Sequence, residues 1–406
     1  MSDVADHPDH SDHPYHPEYP DPAPAPGELD RFGAARRRFL AESSVYGAGA
    51  GILASLGLAH YARAQAPAPS PAAPAGRGMP GLTPMPPEPA QSQPAPLHDL
   101  KGKVAYITAS SDGIGLGIAR AASNAGMKVV IGYRNPERLK AALPLFPKGN
   151  AGVFPLKHDV TDRDGWAHML AQVKEKYGRL HLVVNNAGVK TFAQVSKVSP
   201  AEWDNAVAVN YTATYNSVAV CLPHMLEHGE GSHIAVTSSM SGLLPGGPLG
   251  VYTATKIAAV GLIEALRVEL EGTTVGTSAF CPGGVDTDNY LGSGKENPYL
   301  EELRAKAPPG ARFRRFNGTP PGMDPLEAGE RVLNGVIHND LFILTHPEYM
   351  PGTQQRFNAM LISEPLEPPP PETRVRGEAR VLHCGIYVRE IAHRRQARTS
   401  FRSVTI

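Results

Sequence analysis

The sequence lacks the features that mark several large classes of protein. Its 406 residues include only three cysteines, too few for a disulfide framework and too scattered for a zinc site. The 39 basic residues equal the 39 acidic ones, and a chain with no net charge is a poor candidate for binding nucleic acid. No run of about 18 apolar residues is present, which argues against a polytopic membrane protein. A globular domain with appended segments remains, and no metal site is predicted.

Basic residues are also missing from the first 30 positions, which hold eight acidic side chains and repeated prolines. Such a stretch cannot bury enough apolar surface to offset the entropy lost on ordering, so residues 1–34 are predicted to be disordered. His7, His10, His13 and His16 could chelate a divalent metal. The prolines between them prevent a helix that would stack the imidazoles, which favours a solvated segment.

Residues 35–66 resemble a twin-arginine export signal. Arg36 and Arg37 precede a mildly apolar, Gly/Ala-rich stretch that is too short to span a bilayer comfortably, and a small-residue cleavage site ends at Ala66. The segment predicts export to the periplasm with no membrane span after processing. The alternatives are a short amphipathic helix or an uncleaved anchor, and without a working signal the chain would stay in the cytoplasm. Residues 67–99 are a Pro/Ala-rich linker.

The body, residues 100–347, alternates short apolar runs with amphipathic stretches. Strands are predicted at 103–108, 128–131, 153–156, 180–184, 233–238, 275–280 and 341–344, and helices at 114–125, 162–177, 201–228 and 252–270. This alternation predicts an α/β fold, a doubly wound parallel sheet of the Rossmann type in a single domain with disordered N-terminal and C-terminal extensions. The extension at 348–406 ends in an arginine-rich tail that is either unstructured or able to touch lipid head groups.

A glycine-rich turn follows the first predicted strand, at Thr108–Gly115. Glycines there let the backbone approach a pyrophosphate, whose charge the start of the next helix would stabilise. Further along, Tyr252 and Lys256 stand four residues apart, on one face of a predicted helix. A phenol has an ordinary pKa of about 10, and a nearby cation lowers it and makes the phenol a better proton shuttle. Ser239 lies 13 residues upstream, where its hydroxyl can reach the same substrate oxygen.

These residues resemble the short-chain dehydrogenase/reductase family. The resemblance covers essentially all of residues 100–347 and includes the turn, Asp159-Val160, Asn185-Asn186-Ala187-Gly188, Asn210, the Ser239, Tyr252 and Lys256 set, and Pro282-Gly283. One departure is Ala109, where the family usually has glycine. Because alanine still permits a compact turn, we expect altered loop geometry rather than lost binding.

The resemblance implies a role for each matching residue. Tyr252 would be the general acid or base, Lys256 would lower its pKa and hold the nicotinamide ribose, and Ser239 would orient the carbonyl. Asn210 would position a water that links Lys256 to solvent. The implied cofactor-binding residues are Thr108, Ser110, Ser111, Asp112, Gly113, Ile114, Gly115, Tyr133, Arg134, Asp159, Val160, Asn186, Ala187, Gly188, Tyr252, Lys256, Pro282, Gly283, Val285 and Thr287.

The end of the second strand bears on the choice of cofactor. No acidic residue occupies the usual place for bonding a ribose 2'-hydroxyl, and Arg134 could bind a 2'-phosphate instead. The sequence therefore favours NADP, with NAD as the alternative. Asp112 weighs against this choice, because it puts an acid where some NADP-preferring members of the family carry a base.

The expected function is NADP(H)-dependent interconversion of a ketone or aldehyde and an alcohol. Residues 240–251 carry no charge, so an apolar small-molecule substrate is predicted. Alternatives are an epimerase or dehydratase of the same fold, and a non-catalytic nucleotide-binding sensor or interaction protein. The helices from Ala201 and from Tyr252 are apolar enough to suggest a homo-dimer or homo-tetramer.

Overall fold

The computed structural model describes residues 94–147, 152–246, 248–287, 322–364, 371–378 and 384–399, all within one unit of the chain, Met79–Ile406. The predicted acidic segment, the export signal and most of the Pro/Ala-rich linker lie outside these residues. Among the helices that the described residues form, none is both long and apolar enough to cross a bilayer.

Seven parallel strands form a single sheet, which confirms the predicted fold class. Each predicted strand is present, with bounds that differ by up to two residues. Along the sheet the order is β3-β2-β1-β4-β5-β6-β7, so the order reverses between β1 and β4. The strands are β1 (Val104–Ile107), β2 (Lys128–Tyr133), β3 (Val153–Lys157), β4 (Leu182–Asn185), β5 (Ser232–Thr237), β6 (Val275–Cys281) and β7 (Phe342–Leu344).

Helices connect the strands and cover both faces of the sheet. The bounds are α1 (Gly113–Asn124), α2 (Pro136–Ala142), α3 (Arg163–Tyr177), α4 (Pro200–Val207), α5 (Ala213–His228), α6 (Gly250–Glu269), α7 (Pro325–His338), α8 (Met350–Ile362), α9 (Glu372–Gly377) and α10 (Gly385–Thr399). The single helix predicted over 201–228 is wrong in one respect. A π-helical turn, Ala208–Thr212, separates α4 from α5.

Two apolar clusters hold these helices to the sheet, one on each face. On one face Trp166 and Met169 of α3 and Ile263 of α6 are fully buried against the strands. On the other face Ile118 of α1 and Val332 of α7 are fully buried. Because β1, β4 and β5 lie between the two clusters, their side chains are buried on both faces, which fits the apolar residues at their centres.

Helices α1 and α7 cross at backbone contact. A Cβ atom at Gly117 would lie 1.8 Å from the carbonyl oxygen of Pro325, and one at Gly329 would lie 2.4 Å from the carbonyl oxygen of Gly117. Only glycine fits at either position. The close crossing fixes the start of α1, and therefore the turn before it, against the start of α7.

Part of the C-terminal extension is an ordered helix rather than an unstructured tail. Ile386 and Ala392 of α10 are buried. Its polar side chains meet carboxylates of the body: Tyr387 donates to Glu264 at 2.9 Å, and His393 contacts Asp340 at 2.8 Å. At the other end of the domain Leu97 is 1 % exposed, so the packed part begins slightly before residue 100.

Candidate active site

A cavity of about 1220 Å³ opens at the carboxyl edge of the sheet, on segments that follow β1, β2, β4, β5 and β6. In an open parallel sheet the crevice beside the reversal of strand order is the usual ligand site. Predicted site residues in its wall are Ser111, Asp112, Gly113, Ile114, Tyr133, Arg134, Val160, Asn186, Ala187, Gly188, Ser239, Tyr252, Lys256, Pro282, Gly283, Val285 and Thr287.

The turn between β1 and α1 brings a helix N-terminus to the cavity. Ser110 N–H donates to the carbonyl oxygen of Gly132 at 2.8 Å, which ties the turn to β2. Asp112 caps α1 by accepting from Gly113 N–H at 2.7 Å. Ala109 has a φ of 51°, the left-handed conformation that glycine adopts more readily. The turn therefore keeps the geometry of a glycine-containing loop, whereas the sequence led us to expect an altered one.

Thr108 lies behind the cavity wall and holds part of the wall in place. Its hydroxyl accepts from the N–H groups of Asn186 and Ala187, both at 2.8 Å, and Asn186 Nδ2 donates to its carbonyl oxygen at 3.2 Å. Because these bonds join the ends of β1 and β4, they hold the Asn186-Ala187-Gly188 segment against the turn.

Ser239, Tyr252 and Lys256 meet at one end of the cavity. Lys256 Nζ lies 5.6 Å from the centre of the Tyr252 ring and donates to the carbonyl oxygen of Thr237 at 2.8 Å. Lys256 is 3 % exposed, and this burial lowers its pKa to about 8. The Ser239 hydroxyl accepts from Ser241 N–H at 3.1 Å, which fixes it at the start of a 3₁₀ turn.

Asn210 belongs to the π-helical turn, and its side chain is fully engaged with protein groups. Its Oδ1 accepts from Val189 N–H at 2.8 Å, and its Nδ2 donates to the carbonyl oxygen of Val189 and to the Thr255 hydroxyl, both at 3.0 Å. Thr255 in turn donates to the carbonyl oxygen of Tyr252. Asn210 therefore joins α6 to the segment after β4 without standing in the cavity wall.

The far end of the cavity carries two ion pairs. Arg134 contacts Asp159 at 3.3 Å, and Arg138 of α2 contacts Asp112 at 2.6 Å. Partial burial works to raise the pKa of Asp159, but hydrogen bonds from Thr161 and Arg134 outweigh it and the pKa lies below its ordinary value. This end therefore combines two guanidinium groups with two carboxylates.

Sequence comparison decides the family. A sequence model described as short chain dehydrogenase matches residues 103–297. An uncharacterized oxidoreductase from Listeria innocua is 33 % identical over 193 residues, which is 47 % of this chain and 77 % of the relative. This chain belongs to the short chain dehydrogenase family.

Other members of the family support the same assignment. A C alpha-dehydrogenase from a Sphingobium strain is 27 % identical over 292 residues, 70 % of this chain and 93 % of the relative. The crystal structure of a short chain dehydrogenase/reductase from Burkholderia phymatum in complex with NAD superimposes with a TM-score of 0.58 at 25 % identity, covering 67 % of this chain and 99 % of that one. These relatives indicate that the chain is an oxidoreductase.

Five of the site residues predicted from the family resemblance lie outside the cavity wall. Gly115 is closely packed, because a Cβ atom there would lie 2.5 Å from the carbonyl oxygen of Ala109. Asp159 is bonded to Arg134 and Thr161. The other three are Thr108, Ser110 and Asn210, which act through the hydrogen bonds given above. In this chain these five residues therefore shape the site without lining the cavity.

Among the wall residues that sequence analysis missed are Arg138, Lys190 and Tyr349. Arg138 was detectable, because the Asn135-Pro136 helix start places it in the first turn of α2. Lys190 follows the Asn-Asn-Ala-Gly motif by two positions and gave no periodic signal. Tyr349 enters the wall from beyond β7, at a sequence distance that no local pattern bridges.

Proposed function

We propose that the protein is an NADP(H)-dependent oxidoreductase that interconverts a ketone or aldehyde and an alcohol. The observation that carries the proposal is the meeting of Ser239, Tyr252 and Lys256 in one cavity with the phosphate-type turn at the start of α1. A phenol, a hydroxyl and a buried ammonium are the groups that carbonyl reduction needs for proton transfer and for stabilising the oxygen.

The cavity fits a dinucleotide in size and chemistry. Its volume of about 1220 Å³ exceeds the upper end of the usual range for drug-sized ligands, about 1,000 Å³. The N-terminus of α1, at Gly113 and Ile114, favours an anion such as a pyrophosphate. At the opposite end Lys256 would hold the nicotinamide ribose, and Pro282, Gly283 and Thr287 would border the nicotinamide.

The adenosine end favours NADP over NAD in this proposal. Tyr133 ends β2 and Arg134 follows it, and neither brings a carboxylate to the ribose. Arg138 adds a second guanidinium. Both arginines could exchange their carboxylate partners for a 2'-phosphate, which accepts charge-assisted hydrogen bonds from the planar guanidinium fork. The Asp112 carboxylate opposes this preference, since it lies where the phosphates would approach.

Bound NADPH would supply the hydride for carbonyl reduction. Tyr252 would hold the proton that the carbonyl oxygen receives, and Ser239 would donate a hydrogen bond to the same oxygen. Lys256, at 5.6 Å from the Tyr252 ring, would stabilise the phenolate left behind. Asn210 would keep α6 and the Val189 backbone in register, and a water held near it would link Lys256 to solvent.

Replacing Tyr252 by phenylalanine tests the proposal. We expect Tyr252→Phe to bind NADPH as the unmodified chain does and to lose about 10²-fold or more in turnover, the usual contribution of a general acid or base. NADPH binding would be followed by fluorescence, and turnover by NADPH absorbance with a panel of ketones and aldehydes.

The matched control is Tyr215→Phe, since Tyr215 lies on α5 with 52 % of its surface exposed and does not line the cavity. Near-normal turnover by Tyr252→Phe would remove that residue from the mechanism. Nucleotide binding without turnover of any panel member by the unmodified chain would favour a non-catalytic nucleotide sensor instead.

We further propose that residues 35–66 direct export to the periplasm through the twin-arginine route. This route carries folded proteins, so a chain with its nucleotide already bound could pass. The supporting feature is the order of Arg36-Arg37, the mildly apolar stretch and the small residues before Ala66.

We propose a homo-dimer or homo-tetramer for the assembly. Trp203 on α4, Leu226 on α5 and Val268 on α6 each expose 40 % or more of their surface. Association of two copies through these helices would cover apolar side chains that one copy leaves in water. Sedimentation of the full chain tests this, and a monomer at micromolar concentration would contradict it.

A further inference from the structure

Lys190 places a second ammonium group beside Tyr252. Its Nζ lies 5.9 Å from the centre of the Tyr252 ring and 4.9 Å from the centre of the Phe192 ring. Lys190 lines the cavity, together with Ser239 and Lys256. Aromatic faces at these distances stabilise a cation and offset part of the cost of burying the Lys190 ammonium.

The backbone around Lys190 is held on both sides. On one side Val189 makes two hydrogen bonds with the Asn210 side chain, at 2.8 and 3.0 Å. On the other side Ala193 pairs with Leu249 in a β-bridge and accepts from Gly250 N–H at 3.1 Å. Because Gly250 begins the helix that carries Tyr252, these contacts fix the Lys190 segment relative to the phenol.

The charges of the cavity are divided between its ends. Among the wall residues that the structure describes, Lys190 and Lys256 are the charged groups near Tyr252, while Asp112 lies beside Arg138 at the far end. Lys256 is nearly inaccessible and is bonded to Thr237. Lys190 keeps more exposure, so it is the ammonium that a substrate can approach.

We propose that Lys190 binds a carboxylate of the substrate, so that the substrate class is a keto acid and the corresponding hydroxy acid. This inference rests on the proposed function and narrows it. The carboxylate would stand near the reacting carbon, because Lys190 and the phenol share one end of the cavity. The rest of the substrate would be apolar, since Met240, Leu244, Leu249 and Tyr349 line the same region.

Desolvation adds a reason for an anion at this place. Burial lowers the pKa of Lys190 to about 8, which means that the pocket disfavours the ammonium form relative to water. A substrate carboxylate in contact with Lys190 Nζ would favour the ammonium form and offset this cost of burial. A neutral ester of the same shape would not.

The test compares acids with their esters. The probes are benzoylformate against methyl benzoylformate and benzoylacetate against ethyl benzoylacetate, reduced by the full chain with NADPH. We expect kcat/KM for the acid to exceed that for the ester at least tenfold in one pair. Lys190→Met should lower this acid-to-ester ratio at least tenfold, and Lys190→Arg should retain most of it. The matched control is Lys197→Met, an exposed lysine of the same segment outside the cavity, which should leave the ratio unchanged.

A calorimetric titration of the unmodified chain and Lys190→Met with the same four probes measures carboxylate binding without turnover. This binding measurement still tests whether Lys190 binds a carboxylate if the chain reduces no ketone. Absence of any ketone reduction would contradict the proposed function itself. Equal affinity and equal kcat/KM for acid and ester would overturn the inference. So would a Lys190→Met variant that loses acid and ester reduction in equal proportion, since Lys190 would then act on Tyr252 rather than on the substrate.

Discussion

Replacement of Ala109 by glycine should stabilise the protein. Ala109 has a φ of 51°, and an L-residue with a Cβ pays roughly 1–2 kcal/mol for the left-handed region. Glycine avoids this strain, but it raises the conformational entropy of the unfolded chain, which lowers the free energy of unfolding by about 0.5–1 kcal/mol. Because Ala109 is exposed, little apolar burial is lost. The net gain is about 0.5–1 kcal/mol, which for a unit of this size raises Tm by about 1–4 °C.

The same chemical change elsewhere provides the control. Ala171 is exposed within α3, where the backbone is helical and glycine is worse than alanine by about 1 kcal/mol. Ala171→Gly should therefore lower Tm by about 2–4 °C. Calorimetry and urea unfolding of the full chain measure both variants. If Ala109→Gly lowers Tm as Ala171→Gly does, the left-handed alanine carries no strain and the reasoning is refuted.

Two further predictions concern the cofactor and the route of export. Arg138→Ala should lower the ratio of NADPH to NADH affinity about tenfold. Asp112→Asn should raise the same ratio, because asparagine still caps α1 and the change frees Arg138 for a phosphate. Competitive titration measures the ratio, and equal changes for both nucleotides would contradict an NADP site. Changing Arg36 and Arg37 together to lysine should retain the full chain in the cytoplasm, as measured by cell fractionation, and undiminished export would exclude the twin-arginine route.

The sheet could be predicted from the sequence because its signals are local. Each strand is a short apolar run bounded by Gly, Asn or Ser, and burial on both faces removes the need for alternation. Helix α2 was missed although its signals are present: Asn135 accepts from the N–H groups of Glu137 and Arg138, and Pro136 occupies the first turn. The π-helical turn Ala208–Thr212 has no such signal, because no proline, glycine or side-chain cap marks where it begins or ends.

The same distinction between local and long-range signals applies to the residues of the site. Residues fixed by a motif, such as Tyr252 and Lys256, were predictable because one helix carries both at a known spacing. Lys190 was not, because its relation to Tyr252 depends on the Ala193–Leu249 bridge and on the Asn210 side chain, which join segments far apart in sequence. The uncharged run 240–251 predicted an apolar pocket, and the charge that Lys190 adds to its wall comes from the segment after β4.

Arg267 shows how the C-terminal helix α10 is joined to the body. In sequence it looks like an exposed charge near the end of α6, yet it is 2 % exposed and donates to the Thr277 hydroxyl at 2.9 Å and to the carbonyl oxygen of Asn339. Burial lowers its pKa to about 10, and Glu390 and Asp340 act in the opposite direction.

Glu390 belongs to α10, and it also accepts from Leu341 N–H at 3.0 Å. The tail helix therefore brings a carboxylate near the buried guanidinium of Arg267. In the opposite direction, Arg394 of the tail forms an ion pair with Asp340 of the body at 3.0 Å. An arginine-rich segment has no reason to fold by itself, because its charges favour water. It becomes ordered here because the sheet has already placed carboxylates where those arginines can reach them, and that placement exists only in the folded chain.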